Sequence, residues 1–346
     1  MTLRVGVIGA GLMGADHVLT LDRFVSGAGV QAVADVDLSR AQLAVATVRD
    51  LPTSGGTEPT ATADPLALIA DPTVDAVLIA SHDSTHVEFV RAAVAAGKPV
   101  LCEKPLAPTL AEAQALRAEV GEQAGLVSLG FMRRFDPGYT RLRTAIGARV
   151  FGRTLMLHCV SRGVSAAPGS TTELALAGSA VHEFDVVPWL LGSPVVEVSW
   201  QAPRSSSLVA DGVQDPQLIL LRTADGALSN CETFLNAGYG YDIRCEVVGE
   251  SGAISLVEPT TVVSDWTGAR RTSYAADWRP RFADAYRLEL QAWVDRIRLG
   301  PRHRELWPLA GLDDGVRASA VAQAAIESMH QGGRFVEVVQ AQGRRT

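Results

Sequence analysis

The chain is short of the features that mark several classes of protein. Its 346 residues include only two lysines, Lys98 and Lys104, and its 31 basic residues are outnumbered by 38 acidic ones, a net charge of −7. Nucleic acids and anionic membranes are bound by basic surfaces, so this balance predicts neither partner. No apolar run approaches the length of a membrane span, and the first residues lack the pattern of a signal peptide. We therefore expect a cytoplasmic protein.

Cysteine is also scarce, with four residues at positions 102, 159, 231 and 245. They show no CxxC or Cys/His ligand spacing, which predicts reduced thiols rather than disulfides or a metal centre. His82 and His86 stand four residues apart at the start of a predicted helix. No set of further ligands accompanies them, so we predict no metal site.

Continuous apolar segments alternate with helical patterns over roughly the first 130 residues. The predicted strands are 3–8, 30–34, 74–80, 100–101 and 127–130, and the predicted helices are 14–24, 39–49, 85–96 and one that Thr109 begins. Thr109 with Glu112 forms a capping-box pattern. Fully apolar strands separated by helices indicate a parallel sheet covered on both faces. We predict an α/β Rossmann N-terminal domain over residues 1–126.

The pattern changes after about residue 134. Strands are predicted at 155–160, 195–201, 217–223, 228–234, 243–249 and 253–257, with helices at 179–191, 282–299 and 311–330. Many strands with few helices predict an α+β C-terminal domain, residues 127–346, with a large, mostly antiparallel open sheet. Helices would cover one face of that sheet. We expect another copy of the chain to cover the other face, which makes the protein a homo-oligomer.

A glycine-rich turn follows the first predicted strand and opens the first helix. Its residues are Gly9-Ala10-Gly11-Leu12-Met13-Gly14. In a dinucleotide fingerprint the three glycines allow the tight turn, the approach of the pyrophosphate and the packing of helix on strand. Asp35 ends the second strand, where the fingerprint expects an acid that binds the ribose hydroxyls. The pattern predicts NAD as cofactor, in preference to NADP.

Lys104 follows a buried strand and precedes Pro105. This position is at the carboxyl edge of the predicted sheet, where open α/β folds bind ligands. The chain otherwise uses Arg as its cation, so a lysine here suggests an ammonium group that can lose its proton. The alternative is an ordinary surface lysine. We interpret Lys104 as functional and Lys98, which lies in an Ala-Gly-Lys-Pro turn, as structural.

Over essentially its whole length the chain resembles the glucose-fructose oxidoreductase/inositol dehydrogenase/MocA (Gfo/Idh/MocA) family, and within it the inositol 2-dehydrogenases. The motifs that carry the resemblance are the glycine turn, 102–107 (CEKPLA), 130–136 (GFMRRFD), 155–159 (LMLHC), 182–185 (HEFD), 239–250 (YGYDIRCEVVGE) and 277–282 (DWRPRF). The resemblance implies NAD-dependent oxidation of a ring secondary alcohol to a ketone, usually by a homotetramer.

The reaction and the resemblance together suggest roles for individual residues. An alcohol oxidation needs a base of near-neutral pKa, and His182 on its helix is the candidate. Lys104 would hydrogen-bond the same hydroxyl, and Asp185, three residues after His182, would orient the imidazole. By resemblance, further cofactor contacts are expected from Leu12, Met13, Ser81, His82, His86 and Glu103. Substrate contacts are expected from Arg134, Ser161, Ser179, Tyr239 and Tyr241. Arg134 could instead form an ion pair, and each tyrosine could be interface packing.

The chain departs from the inositol dehydrogenase pattern at several positions. Gly178 stands where those enzymes carry an Asp, and Ser179 stands where Thr is usual. Ser161 and Gly163 replace a larger His and Asn. Small groups in one pocket suggest either room for a substituted or different polyol, or weak or lost activity. We favour an active enzyme with shifted specificity, because Lys104 and His182 are both present.

Three hypotheses follow. The first is an NAD-dependent dehydrogenase of myo-inositol or a related cyclitol. The second is a dehydrogenase of a sugar, glycoside or aminocyclitol. The third belongs to another class: a catalytically silent NAD-binding sensor or assembly protein. The presence of Lys104 and His182 argues against the third hypothesis, whereas Gly178 argues for keeping it.

Overall fold

The computed structural model describes residues 2–49, 58–257, 262–300 and 307–339. The chain divides into two compact units, each made of two segments: residues 1–135 with 284–319, and residues 136–283 with 320–346. The sequence prediction used a single boundary after residue 126. The last strand of the first unit's sheet lies beyond that boundary, at Val127–Leu129.

The first unit contains the predicted doubly wound parallel sheet. Its strands are β1 (Leu3–Ile8), β2 (Ala28–Ala34), β3 (Thr60–Thr62), β4 (Ala76–Ile79), β5 (Val100–Cys102) and β6 (Val127–Leu129). They are all parallel, in the order β3-β2-β1-β4-β5-β6. The strand order reverses between β1 and β4, and such a switch point is where open α/β sheets bind ligands.

Helices of this unit are α1 (Leu12–Phe24), α2 (Leu38–Arg49), α3 (Pro65–Ala70), α4 (His86–Ala95) and α5 (Leu110–Val120). Thr109 caps α5, and the predicted capping box with Glu112 is present. Val5, Val7 and Leu78 from the sheet pack in one apolar core with Leu290 and Trp293 from the later segment of the same unit. The α/β Rossmann prediction is confirmed.

The second unit is built on a seven-stranded sheet in the order β12-β11-β7-β10-β9-β8-β15. The strands are β7 (Thr154–Arg162), β8 (Val195–Gln201), β9 (Gln217–Thr223), β10 (Leu228–Phe234), β11 (Asp242–Gly249), β12 (Ala253–Ser255) and β15 (Val336–Glu337). A separate hairpin pairs β13 (Val263–Trp266) with β14 (Ala269–Thr272). All neighbours in the large sheet are antiparallel except β7 and β10. The prediction of a mostly antiparallel sheet is confirmed.

The remaining helices are α6 (Pro137–Gly147), α7 (Thr172–Leu174), α8 (Val181–Leu191), α9 (Trp278–Leu299) and α10 (Leu312–His330). The sequence prediction of one helix between residues 134 and 282 was wrong, since α6 and the short α7 lie there as well as α8. On the sheet, inward-facing Leu157, Cys159 and Val247 are fully buried, as is Phe184 of α8. Helix α8 contacts β7 and α6, which places this core on one face of the sheet.

The helices of the described residues were compared with the length and apolar composition that a membrane span requires. Within the described ranges, no single helix has the length and apolar composition to cross a bilayer. The segments Thr172–Ser179 and Val181–Leu191 meet the length and composition criterion only together, with a bend of 41° between them.

Candidate functional site

The glycine turn lies at the carboxyl end of β1, at the switch point of the parallel sheet. Gly9 has φ +92°, and a Cβ there would lie 2.5 Å from the Ser81 backbone nitrogen. A Cβ on Gly14 would lie 1.8 Å from the Gly9 carbonyl oxygen. A Cβ on Gly11, in contrast, would have no atom within 4 Å. Gly9 and Gly14 are therefore required by the turn itself, whereas Gly11 leaves open space for an approaching group.

Helix α1 begins at Leu12 and Met13, directly after Gly11. The N-cap residue is Gly11, which has no side chain that could cap this end of the helix. The first backbone N–H groups of a helix carry partial positive charge and lack intrahelical acceptors, so they bind anions. Leu12 is 67% exposed beside them. This end of α1 fits the pyrophosphate of a dinucleotide, with open space at Gly11 for its approach.

Asp35 follows β2 and is buried against the glycine turn. Its Oδ2 accepts a hydrogen bond from the Ala10 amide at 2.7 Å, and its Oδ1 accepts one from the Asp37 amide at 2.9 Å. Each carboxylate oxygen has two lone pairs, so both can accept a further bond from a ribose hydroxyl. Arg40 forms an ion pair with Asp37 at 3.4 Å. A carboxylate directed at the turn, with this arginine paired elsewhere, fits NAD better than NADP.

The segment after β4 carries three further predicted cofactor residues. The Ser81 hydroxyl hydrogen-bonds the Thr85 hydroxyl at 2.7 Å. The His82 side chain is largely exposed beside Asp83. His86, in contrast, is buried, with Nδ1 2.7 Å from the Pro105 carbonyl and Nε2 3.1 Å from the Ser81 carbonyl. These contacts tie the loop after β4 to the loop after β5.

Lys104 follows β5, at the same edge of the sheet as the glycine turn. Burial and the nearby Arg133 guanidinium lower the pKa of its ammonium group, while Glu103 and Asp83 oppose that effect. A lysine of lowered pKa is able to exchange a proton with a reacting hydroxyl. Sequence reasoning did not identify Arg133, although its position in the GFMRRFD string of the resemblance was a signal.

The Glu103 carboxylate is directed into the protein. Its Oε1 lies 2.8 Å from His17 Nε2, and its Oε2 accepts a 3.2 Å hydrogen bond from the Lys104 amide. Burial raises the pKa of Glu103, but the hydrogen bond and charge of His17, with the charge of Lys104, hold it below its ordinary value. Sequence reasoning missed His17, for which the only signal was its place on the helix that follows the glycine turn.

Arg134 is buried next to Arg133. Its Nη2 lies 2.9 Å from Asp314 Oδ1, and the same carboxylate oxygen lies 2.6 Å from Arg317 Nη2. Burial raises the pKa of Asp314, and the Arg134 charge with the Gly311 amide brings it below its ordinary value. The ion pair was the structural alternative for Arg134. Its role as a substrate ligand stays a prediction.

In the second unit, His182 lies in the first turn of α8. A π-helical turn, Ala175–Ser179, precedes this helix, and the Ala180 amide donates to the Ala175 carbonyl at 2.9 Å. Turns of this kind are frequent at functional sites. Asp185 is buried one turn beyond His182, on the same side of the helix. The turn contains Gly178 and Ser179, and a Cβ on Gly178 would have no atom within 4 Å.

Of the predicted substrate residues, Ser161 lies on strand β7 of the large sheet and Tyr239 lies in the segment before β11. Ser161 pairs with Thr233 and Ile243, both buried, and shares their inward face. Tyr239 is 47% exposed and hydrogen-bonds Asp242. Strand alternation therefore directs Ser161 toward the helix-covered face.

The Tyr239 hydroxyl is held in an ionic cluster. Arg162 Nη1 donates to it at 3.0 Å, and Arg162 also forms two hydrogen bonds with Glu232, at 2.6 and 2.9 Å. Burial and the Asp242 carboxylate raise the pKa of the Tyr239 phenol. Tyr241 instead packs its ring at right angles to Phe282, with 6.3 Å between centroids. Both tyrosines have structural contacts, and their substrate roles stay predictions.

Both halves of the chain match family models. Residues 3–131 match the oxidoreductase family model of the NAD-binding Rossmann fold, and residues 143–338 match its C-terminal alpha/beta domain. The two matches together cover most of the chain.

Individual relatives extend over nearly the whole chain. Inositol 2-dehydrogenase 2 of Paenarthrobacter aurescens is 52% identical, over 98% of this chain and 99% of that protein. Inositol 2-dehydrogenase 1 of Saccharopolyspora erythraea is 47% identical, over 96% and 95%. The structure of myo-inositol dehydrogenase from Lactobacillus casei in complex with NAD(H) and myo-inositol superimposes with a TM-score of 0.88, at 30% identity, covering 100% of this chain and 99% of that one. The chain belongs to the Gfo/Idh/MocA oxidoreductase family.

Proposed function

We propose that this protein oxidises a ring secondary hydroxyl of myo-inositol or a related cyclitol to the ketone, with NAD as hydride acceptor. The observation that carries the proposal is the placement of Lys104, whose pKa is lowered, at the sheet edge that also holds the glycine turn and Asp35. The inositol 2-dehydrogenase relatives support the substrate class. The bound nicotinamide supplies the hydride-accepting carbon.

The residues of the chain would bind, orient and deprotonate the substrate. Lys104 donates a hydrogen bond to the reacting hydroxyl and stabilises alkoxide character as the C–H bond breaks. His182 accepts the hydroxyl proton, since an imidazole has a pKa close to the working pH. Asp185 acts through His182 as a positioning residue. The proposed catalytic residues are thus Lys104 and His182.

The proposal also assigns the residues that bind the two reactants. Cofactor contacts come from Gly9, Gly11, Leu12, Met13, Gly14, Asp35, Ser81, His82, His86, Glu103 and Lys104. The remaining polyol hydroxyls are met by Arg134, Ser161, Ser179, Tyr239 and Tyr241. In this proposal residues 1–126 bind the cofactor, and residues 127–346 bind substrate and form the assembly. The protein acts in the cytoplasm as a homotetramer.

The open space at Gly178 favours a second candidate substrate class. A Cβ there meets nothing within 4 Å, so there is open space one helical turn before His182, at the position where by resemblance related enzymes carry an Asp. A substituted ring, such as a glycoside or an aminocyclitol, would use that room. This second candidate retains the roles of Lys104 and His182 and changes only the substrate.

The proposal is tested by steady-state NADH formation across a panel of cyclitols, sugars, glycosides and aminocyclitols, alongside calorimetric NAD binding. We expect turnover with at least one cyclitol. Turnover with glycosides or aminocyclitols alone would support the second candidate. Measurable NAD binding with no turnover on any member would contradict both and identify a catalytically silent NAD-binding protein.

A further inference from the structure

A buried histidine–carboxylate pair, His17 and Glu103, lies next to the main chain of Lys104. His17, in the second turn of α1, is 1% exposed, and its Nε2 lies 2.8 Å from Glu103 Oε1. The Tyr286 ring packs edge-on against the imidazole at a centroid distance of 5.7 Å. Removing a carboxylate from water is costly unless it is paired and hydrogen-bonded. His17 therefore offsets the cost of keeping Glu103 ionised inside the protein.

The other oxygen of the same carboxylate contacts the Lys104 backbone. Glu103 Oε2 accepts a 3.2 Å hydrogen bond from the Lys104 amide. A Cβ on Gly130 would lie 3.0 Å from this carboxylate, so the glycine leaves room for it after β6. The carboxylate thus fixes the main chain at the residue whose side chain is proposed to meet the substrate.

Three charged groups act on the Lys104 ammonium from neighbouring segments. Glu103 and Asp83 are acidic and favour the protonated amine, whereas Arg133 is basic and disfavours it. Glu103 is the largest of the three contributions after burial. His17 acts on Lys104 only through Glu103, because its hydrogen bond and charge hold the pKa of Glu103 low.

We propose that His17 and Glu103 are positioning residues that fix the Lys104 main chain and maintain a negative charge beside its ammonium group. The effect of this pair on catalysis rests on the proposed function of Lys104. The effect of the pair on the charge of Lys104 does not rest on that function, because the charge state of Lys104 can be measured without turnover. His17 also lies three residues after Gly14, so the helix that is expected to receive the pyrophosphate carries one member of the pair.

The two lysines of this chain make that measurement direct. Reductive methylation with ¹³C-formaldehyde labels Lys104 and Lys98, and the NMR shift of each dimethylamine is followed against pH in the full-length protein. The α-amino group of the chain is labelled as well, so Lys98→Arg and Lys104→Arg assign the two lysine resonances. Lys98 lies elsewhere, with its Nζ 2.6 Å from the Asp71 carbonyl, and so serves as the internal control.

We expect Glu103→Gln to lower the pKa of Lys104 by about one unit or more, because the ammonium loses the acidic group that contributes most to its protonated form. The pKa of Lys98 should not move. His17→Ala should lower the pKa of Lys104 in the same direction by a smaller amount. His17→Gln, which keeps a donor near the position of Nε2, should restore part of the wild-type value.

Activity supplies the second readout. If the protonated amine is the active form, kcat should fall at a lower pH in Glu103→Gln than in the wild type. This shift of the alkaline limb of the pH profile should follow the lowered pKa of Lys104. A buried residue with a structural role alone would lower the melting temperature without moving that limb. An unchanged pKa of Lys104 in a folded Glu103→Gln protein, or in His17→Ala if the first variant does not fold, would overturn the proposal. Absence of turnover with a shifted pKa would contradict only the proposed function.

Discussion

At the residue scale, the proposed preference for NAD over NADP depends on one carboxylate. Asp35 is oriented by hydrogen bonds from the Ala10 and Asp37 amides, at 2.7 and 2.9 Å. These bonds fix its side chain against the glycine turn, where a 2′-phosphate would bring two further negative charges. The two amides therefore hold the carboxylate in place for its proposed role, since it cannot rotate away without losing both hydrogen bonds.

Asp35→Asn should weaken the preference for NAD over NADP by about tenfold or more, because the charge is lost while an acceptor oxygen remains. The measurement is the ratio of kcat/KM for the two cofactors at low ionic strength. Asp71→Asn is the matched control, since Asp71 lies before β4, at the opposite edge of the sheet. An unchanged ratio in the folded Asp35 variant would show that another group selects the cofactor.

Residues that belong to a local pattern were predictable from sequence, and residues that act through long-range contacts were not. The glycines, Asp35 and Lys104 stand at fixed places relative to strand ends, so the sheet edge that holds them follows from the pattern. The His17–Glu103 contact joins residues 86 positions apart. Nothing local predicts such a pair, because it depends on how α1 packs beside the loop after β5.

At the element scale, the turn from β1 into α1 uses its glycines for different purposes. Gly14 meets the Gly9 carbonyl, a contact inside the folded turn, whereas Gly11 faces open space. One position therefore serves the fold, and the other serves the ligand that the fold is expected to bind.

Alanine at these two positions should separate stability from binding. Gly14→Ala should lower the free energy of unfolding by about 1–3 kcal/mol, because its Cβ forces the backbone apart. Gly11→Ala should leave the stability of the NAD-free protein nearly unchanged, since its Cβ meets no atom, yet weaken NAD binding about tenfold or more. Denaturant unfolding and calorimetry measure the two effects. Equal losses of stability in both variants would contradict this division.

Elements with strong periodicity were placed within a few residues by the sequence, as β1 and β8 to β10 show. Helix α6 was missed although Asp136-Pro137 is a helix-start signal, with the Asp136 carboxylate accepting from the Gly138 amide at 2.9 Å. The short strands β3 and β15 were also missed. They are set by pairing with β2 and β8, respectively, rather than by their own two or three residues.

At the scale of the whole molecule, the outward face of the large sheet is the surface proposed for assembly. Val160, Leu218 and Leu220 alternate with buried inward-facing neighbours and are half-buried in the single chain. Ion pairs such as Arg162–Glu232 lie among them. A mixed apolar and paired surface of this kind suits contact with an identical sheet.

Val160→Arg should dissociate the proposed tetramer into smaller species, because it buries an unpaired charge at the centre of that face. Light scattering after size-exclusion chromatography measures the mass. Val150→Arg makes the same substitution at a residue that is 72% exposed in the turn after α6, and should leave the mass unchanged. A wild-type protein that is monomeric, or a Val160→Arg variant of unchanged mass, would contradict assembly through this face.

The proposal that matters most is that Lys104 acts on a cyclitol hydroxyl next to NAD. Its decisive test is the rate of NADH formation by Lys104→Ala and Lys98→Ala. Both variants are assayed with saturating NAD and with myo-inositol or the best cyclitol of the panel. We expect a fall in kcat of about 10²-fold or more for Lys104→Ala, which should still bind NAD, and a rate near wild type for Lys98→Ala. A Lys104→Ala enzyme whose kcat stays within a few-fold of wild type would contradict the proposal.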